Sequence, residues 1–237
     1  MKHAQWMALS DVEYARILDL LKSLDPGEWE KPTDCAEWDV RQVVAHLVGS
    51  ARMNASLREA GRQDRLGRTM RGDRPLAIDG VTAVQVSERA DHSPGRLLGD
   101  LADAAPRAMA GRRRVRGPLR WLRLPMDPPL RWRPLSYLVD VVLTRDLWMH
   151  RIDLARASGC EPVLTADHDG RIVADIVAEW ARRHGEAYEL ILTGPAGGTF
   201  RRGAGGEVHR LDAVEFARIL SGRAVGEGLL QQKGVVF

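Results

Sequence analysis

Residues 135–159 read LSYLVDVVLTRDLWMHRIDLARASG, a proline-free stretch that ends in glycine. Its apolar residues recur at helical spacing, and a glycine after the last turn is a common helix end. Asp146 and His150 are four residues apart, so they lie on one face of this helix. An acid and an imidazole on an apolar face cost free energy unless a hydrogen-bond network, a salt bridge or a metal ion satisfies them.

Three further stretches have the same periodicity and, with the first, predict a four-helix bundle. One helix is expected from an N-cap at Ser10 to the DPG motif at 25–27. A second is expected from near Trp38 to Gly61. The third covers about 81–112.

The connections of this bundle are marked by their composition. Ser93 and Pro94 interrupt the third helical region as an N-cap followed by proline in the first turn. Segment 64–80 is polar and rich in glycine, and segment 116–134 is rich in proline. Both segments are therefore predicted to be long loops.

The pattern changes after residue 160, which predicts a helical bundle over 1–160 and a small α+β domain over 161–237. The expected elements of the second domain are a helix over 170–185, a strand over 186–194, a hairpin over 197–211, a short helix with Asp212 as its N-cap, and a closing strand over 229–237.

Composition indicates an ordinary cytoplasmic protein. The 237 residues carry a net charge of +3, and the two cysteines do not form a CxxC motif. The opening stretch lacks the apolar core of a signal peptide, and no apolar run is long enough to span a bilayer. The basic run at 111–123 comes without a recognition motif, so neither nucleic acid nor membrane is expected as a partner.

His46 adds a second imidazole to the apolar faces of the bundle, since it lies in VVAHLV at residues 43–48. Two imidazoles and one carboxylate, His46, Asp146 and His150, are a recurring ligand set for a divalent metal. Two alternatives stay open. His46 could be a hydrogen-bonded core histidine, and Asp146 could pair with Arg145, Arg151 or an arginine of another helix.

The sequence also resembles a known family. PTDCAEWDVRQVVAHL at 32–47 and RDLWMHRIDLARASG at 145–159 are similar to the DinB-like, mycothiol-dependent maleylpyruvate isomerases. Further along the chain, ILTGPAGG at 191–198 and LDAVEFARILSGRA at 211–224 are similar to the small second domain of that family. The resemblance implies a mostly helical fold, a DinB-like four-helix bundle followed by a small α+β, sterol-carrier-like domain.

The resemblance also implies a chemistry. A divalent metal, usually zinc, would be held by His46, Asp146 and His150, and the thiol of mycothiol would approach it to attack a small electrophilic substrate. Arg223 would bind an anionic group of the substrate or cofactor. The chain departs from the family pattern at Asp146, where glutamate is expected. A non-catalytic metal- or ligand-binding module and a purely structural His–Asp pair remain alternatives.

Smaller expectations concern residues near these ligands. Asp153 is three residues after His150 and is expected to pair with Arg156 rather than to support the imidazole ring. Trp38 and Trp148 are expected to be packing residues.

Overall fold

A computed structural model describes residues 1–128, 130–231 and 235–237. The chain folds into two compact units, Met1–Glu161 and Pro162–Phe237. Assigning 1–160 and 161–237 as separate domains stays a prediction. Within the part of the chain that is described, no helix combines the length and the apolar character needed to cross a membrane.

The first unit is built from helices with one small hairpin. A turn of 3-10 helix at Pro26–Glu30 follows the first helix, a second at Gly117–Trp121 precedes the hairpin, and a π-helical turn at Tyr137–Val142 leads into the last helix. The elements are α1 (His3–Ser23), α2 (Val40–Ala55), α3 (Leu57–Met70), α4 (Ala77–Ser87), α5 (Pro94–Arg113), β1 (Arg123–Met126), β2 (Arg131–Pro134) and α6 (Leu143–Ser158).

Helices α1, α2, α5 and α6 form the predicted four-helix bundle. Helix α5 packs against α1 and α2, and α6 packs against the same two helices, which closes a ring around one core. Each of the four contributes fully buried apolar side chains, and burial of each large one stabilises the fold by about 1.5–3 kcal/mol. These side chains include Ile17, Leu21, Val43, Leu47, Leu97, Leu101, Trp148 and Ile152.

The ends of three bundle helices follow from local sequence. Asp39 caps α2, because its carboxylate accepts from the backbone N–H of Gln42. Ser93 caps α5 ahead of Pro94, as predicted. Gly159 ends α6 in the left-handed region at φ 77°, where glycine carries no steric penalty.

The predicted start of α1 is wrong. The helix begins at His3, and Ser10 lies inside it, where its hydroxyl is bonded to the carbonyl of Trp6 and to the hydroxyl of Thr144. Trp6 and Met7 are buried, so the apolar face extends upstream of Ser10. Inside a helix, a serine hydroxyl can donate to the backbone carbonyl one turn earlier, so a serine is also compatible with a helix interior.

The loop predicted over 64–80 is also wrong for most of its length. Helix α3 continues to Met70 and α4 begins at Ala77, so the first long connection of the bundle is itself a helical hairpin. Its glycines are packing positions: a Cβ on Gly80 would overlap the backbone carbonyl of Gly67. Glycine permits this close approach of two helices, and sequence alone does not distinguish that use from a turn.

The second unit has helices beside a three-stranded sheet. Strand β3 (Tyr188–Thr193) is central, with β4 (Gly198–Arg202) antiparallel on one side and β5 (Glu207–Asp212) parallel on the other. Trp180 makes edge contacts with Tyr188 and Phe216 in its core. The elements are α7 (Arg171–His184), β3 (Tyr188–Thr193), β4 (Gly198–Arg202), β5 (Glu207–Asp212) and α8 (Ala213–Leu220).

Two details of the second unit correct the sequence predictions. The glycine-rich segment 197–211 is not a hairpin, because β4 and β5 lie on opposite sides of β3. The closing strand predicted over 229–237 is wrong where the structure describes it. Gly228–Gln231 forms a 3-10 turn and 235–237 is not a strand, while 232–234 lies outside the described residues. The predicted fold class, a mostly helical chain ending in a small α+β part, is confirmed.

Candidate metal centre

Helices α2 and α6 bring His46, Asp146 and His150 together in the bundle. The Nε2 atom of His46 is 3.6 Å from Asp146 Oδ2, and the Nε2 atom of His150 is 3.4 Å from Asp146 Oδ1. One nitrogen or oxygen atom from each side chain lies within 4.8 Å of the other two. The three side chains predicted as ligands therefore form one cluster, and their role as metal ligands stays a prediction.

His150 is oriented by a buried acid. Its Nδ1 atom is 3.0 Å from Asp153 Oδ2, and Asp153 is fully buried. The expected pair of Asp153 with Arg156 is wrong, since Arg156 binds Asp34 at 2.7 Å. Asp153 lies about one helical turn after His150, so the two side chains are on the same face of α6. A carboxylate at Nδ1 fixes the proton there and leaves Nε2 for the cluster.

His46 is oriented by a residue that the sequence analysis did not identify. Its Nδ1 atom is 2.8 Å from Gln85 Oε1, and Gln85 on α4 is buried. The sequence does contain a sign that Gln85 is buried, because this polar residue shares the apolar face of α4 with Val81 and Val84. Buried amides in such a face need hydrogen-bond partners.

The donor set fits a cation. Among the described residues, His46 Nε2 has no hydrogen-bond partner although it is buried and faces the carboxylate of Asp146. An imidazole lone pair and a carboxylate are both electron-rich, so this arrangement is favourable only with positive charge between or on them. Two imidazole nitrogens and one carboxylate oxygen are the donors that zinc accepts, with further positions open to a ligand.

The electrostatics of the cluster favour positive charge beside Asp146. Burial opposes ionisation of Asp146, but His150 and His46 outweigh it and hold the pKa of this carboxyl well below its usual range. Burial alone would lower the pKa of His150, yet attraction to Asp146 and hydrogen bonds to Asp146 and Asp153 raise it to about 9. The carboxylate thus remains charged, and a protonated His150 ring or a bound cation would supply the positive charge beside it.

Trp38 forms one wall of this cluster. Its ring is stacked on His46 at a centroid distance of 5.1 Å, and its centroid is 6.1 Å from that of His150. The hydroxyl of Thr33 donates to the carbonyl of Trp38 at 2.7 Å, which ties down the loop that carries the ring. The sequence predicts Trp38 to be a packing residue. Its position predicts that it also excludes water from one side of the imidazoles.

One of the alternative partners of Asp146 is engaged elsewhere. Arg151 forms a buried ion pair with Glu13, with its Nε 2.6 Å from Glu13 Oε2. The side chain of Asp146 is 19% exposed, whereas those of His46 and His150 are 8% and 6% exposed. The carboxylate is therefore the part of the cluster that solvent reaches most easily.

Arg223 lies in the second unit, whereas the three clustered side chains lie in the first. It follows α8, and its backbone N–H donates to the carbonyl of Arg218 at 2.8 Å. This bond closes the turn after the helix and fixes the backbone of Arg223. The role expected for its guanidinium stays a prediction.

Comparisons with known proteins agree with this architecture. A sequence model of the mycothiol maleylpyruvate isomerase N-terminal domain matches residues 11–155. Similar solved structures are those of the mycothiol-dependent maleylpyruvate isomerase and a histidine-to-alanine mutant of it. Each has a TM-score of 0.62 and 16% identity, and the alignment covers 94% of this chain and 90% of the other. No curated protein sequence matches the chain.

Proposed function

The chain belongs to the mycothiol maleylpyruvate isomerase family through the domain at residues 11–155, and we propose that it is a metal-dependent enzyme of that kind. It would use a thiol cofactor, mycothiol, to isomerise a small electrophilic substrate or to conjugate it to the thiol. The proposal places the reaction in a reducing cytoplasm, in agreement with Cys35 and Cys160, which form no disulfide.

One observation carries the metal part of this proposal. Both imidazoles have their Nδ1 atoms bonded to acceptors, Gln85 and Asp153, while both Nε2 atoms face Asp146. His46, Asp146 and His150 would hold a divalent metal, for which we propose zinc. When bound, such a metal lowers the pKa of a thiol, so that a thiolate is available near neutral pH.

The other residues of the site have roles that follow from their contacts. Gln85 and Asp153 orient the two imidazole rings, because each accepts a hydrogen bond from Nδ1. Trp38 covers the imidazoles with an apolar ring and keeps water from that side. Arg223 keeps the role that the family resemblance implies, which is to bind an anionic group of the substrate or cofactor.

Metal analysis of untagged protein tests the first part. We expect about one equivalent of divalent metal per chain, as in other sites of three protein ligands. His46→Ala and His150→Ala should lose it. His92→Ala is the matched control, because His92 lies beside Asp100 and not in the cluster. Wild-type protein that contains no metal and takes up none on titration with Zn²⁺ would refute the proposal.

Activity assays test the second part. Metal-loaded protein is incubated with mycothiol and a panel of electrophiles that includes maleylpyruvate, and both thiol loss and isomerisation are followed. We expect turnover of at least one compound. Arg223→Ala should lower turnover and leave metal content unchanged. Metal binding without any reaction across the panel would instead support the non-catalytic binding module.

A further inference from the structure

A buried chain of side-chain hydrogen bonds begins at His46 and runs away from the metal cluster. His46 Nδ1 is 2.8 Å from Gln85 Oε1, and Gln85 Nε2 donates to Gln63 Oε1 at 2.8 Å. Gln63 Nε2 in turn donates to the carboxylate of Glu59 at 2.9 Å and to the backbone carbonyl of Gly49 at 3.1 Å. We call these four side chains the His46–Glu59 relay.

The far end of the relay determines its polarity. The Glu59 carboxylate and the Gly49 carbonyl can only accept hydrogen bonds, so the side chain of Gln63 must present its amide nitrogen to them. Its oxygen then faces Gln85 and must accept from the amide nitrogen there. That leaves the oxygen of Gln85 toward His46, whose Nδ1 must be the donor.

Glu59 is held in its charged form by Arg62. Arg62 binds Glu59 through Nε and Nη2, at 2.7 and 2.6 Å, and also binds Glu88 at 2.5 Å. Hydrogen bonds from Arg62 and Gln63 outweigh partial burial and lower the pKa of Glu59 to about 2. The carboxylate is therefore an acceptor at every pH at which the protein would work.

The helix packing of the first unit holds the middle of the relay in place. Gln85 reaches His46 because α4 lies very close to α2 at Gly49, where an added Cβ would be 2.5 Å from Cβ and Cγ of Gln85. Gln63 and Gln85 are 0% and 2% exposed, so water does not replace either partner. A buried network of amide side chains is rigid when every donor and acceptor in it has a hydrogen-bond partner.

We propose that Gln85 is a positioning residue for His46, and that Glu59, acting through Gln63, fixes the Nδ1–H tautomer that turns the Nε2 lone pair toward Asp146. The importance of this tautomer for metal binding rests on the proposed function. The tautomer itself and the slow exchange of its Nδ1 proton do not, because the relay is complete without a metal.

The first experiment therefore uses metal-free protein. An imidazole N–H bonded to a buried acceptor exchanges slowly, so His46 Nδ1–H should give a protected signal in proton–nitrogen correlation spectra. Gln85→Leu should lose this signal. Gln85→Glu loses the donor to Gln63 but keeps an oxygen acceptor for Nδ1, so it should retain the signal. The Nδ1–H of His150 is an internal control, because Asp153 is its acceptor.

Two more variants separate positioning from general destabilisation. Val84→Ala removes a buried side chain next to Gln85 on the same helix and should leave the His46 signal protected. Gln63→Leu releases the orientation of Gln85 and should weaken protection by less than Gln85→Leu does. Equal protection in wild type and Gln85→Leu, or equal loss in Gln85→Leu and Val84→Ala, would overturn the proposal.

Zinc affinity is the second readout, measured by competition with a chromophoric chelator. Loss of an outer partner of a metal-bound histidine typically weakens binding about 10- to 100-fold, and we expect a loss in this range for Gln85→Leu. Gln85→Glu should stay close to wild type. Wild-type protein that binds no zinc refutes the proposed function, and the exchange experiment still decides the relay. Zinc binding that Gln85→Leu leaves unchanged refutes the positioning role alone.

Discussion

Asp146 is the residue on which the candidate metal centre depends most. Its two oxygens face different imidazoles, Oδ2 toward His46 and Oδ1 toward His150. The family resemblance implies glutamate at this position, which is longer by one methylene. The shorter side chain still reaches both rings, so the departure from the family pattern does not break up the cluster.

Two substitutions at Asp146 test this reasoning. Asp146→Asn keeps the size but removes the charge, and we expect zinc affinity to fall at least tenfold, because a neutral amide is a poor ligand for zinc. Asp146→Glu keeps the charge and should bind zinc within about tenfold of wild type. The measurement is a competition titration with a chelator. Zinc binding by Asp146→Asn with wild-type affinity would contradict the assignment.

Glu59 makes the stability of the first unit depend on pH. Its folded pKa is lowered to about 2 from an ordinary value of 4.5. The native state therefore binds the proton more weakly than the unfolded state does, and Glu59 stabilises the fold fully above the ordinary value. This contribution is lost as the pH falls from about 4.5 toward 2.

Comparison of wild type with Glu59→Gln measures this effect. We expect the difference in unfolding free energy to be largest at neutral pH and to shrink as the pH falls toward 3, followed by urea denaturation at each pH. Asp103→Asn is the control, because Asp103 is 81% exposed and exposed ion pairs contribute little. A Glu59→Gln difference that is independent of pH would show that the carboxylate is not stabilised in its charged form.

Among the helices, α3 shows how most of an element can escape detection from its sequence, whereas α4 lies mostly within the helical region predicted over 81–112. Helix α3 buries only Gln63 and Gly67 and leaves Leu57 94% exposed, so it has no apolar stripe. It is held instead by close contact with α4 and by polar bonds such as that of Gln63 to Gly49. Periodicity finds helices that bury apolar faces, and α3 does not bury one.

Two glycines of these helices provide a matched pair of substitutions. Gly80→Ala should destabilise the protein by about 1–3 kcal/mol, because its Cβ would overlap the backbone of α3 at Gly67. Gly61→Ala lies in α3, where no described atom outside the adjacent backbone of the helix is within 4 Å of the added Cβ, and it should stabilise by about 0.5–1 kcal/mol. Thermal or urea unfolding measures both. Equal effects would mean that the helix crossing does not require Gly80.

At the scale of the whole molecule, the chain is two compact units, Met1–Glu161 and Pro162–Phe237. Residues 160–165 between them have no regular secondary structure, and Val163 is 66% exposed. Each unit has its own apolar core, with Trp148 in the first and Trp180 in the second. Such an arrangement is typical of two domains joined by a short linker.

Limited proteolysis tests this division. A protease that cuts beside apolar residues, such as thermolysin, should cleave first at Val163 or Leu164 and leave two resistant fragments. Val208 is a control of similar exposure at 65%, but it lies in β5 and pairs with Glu189, so early cleavage there is not expected. Mass spectrometry of the first products identifies the site. First cuts inside either core would contradict the two-domain prediction.

The sequence by itself determined that the bundle has four helices, although not where each of them begins and ends, together with the small α+β part and the faces on which His46, Asp146 and His150 lie. It could do so because apolar periodicity, caps and prolines act within a few residues of the chain.

Only the tertiary structure decided that these three side chains meet. It also decided that Asp153 and Gln85 orient the imidazoles, that Trp38 covers them, and that segment 64–80 is mostly helical. These features depend on contacts between distant residues, such as Gly49 with Gln85 and Gly67 with Gly80. Short-range patterns contain no information about such contacts, because the same glycine or glutamine suits a loop, a surface or a helix crossing equally well.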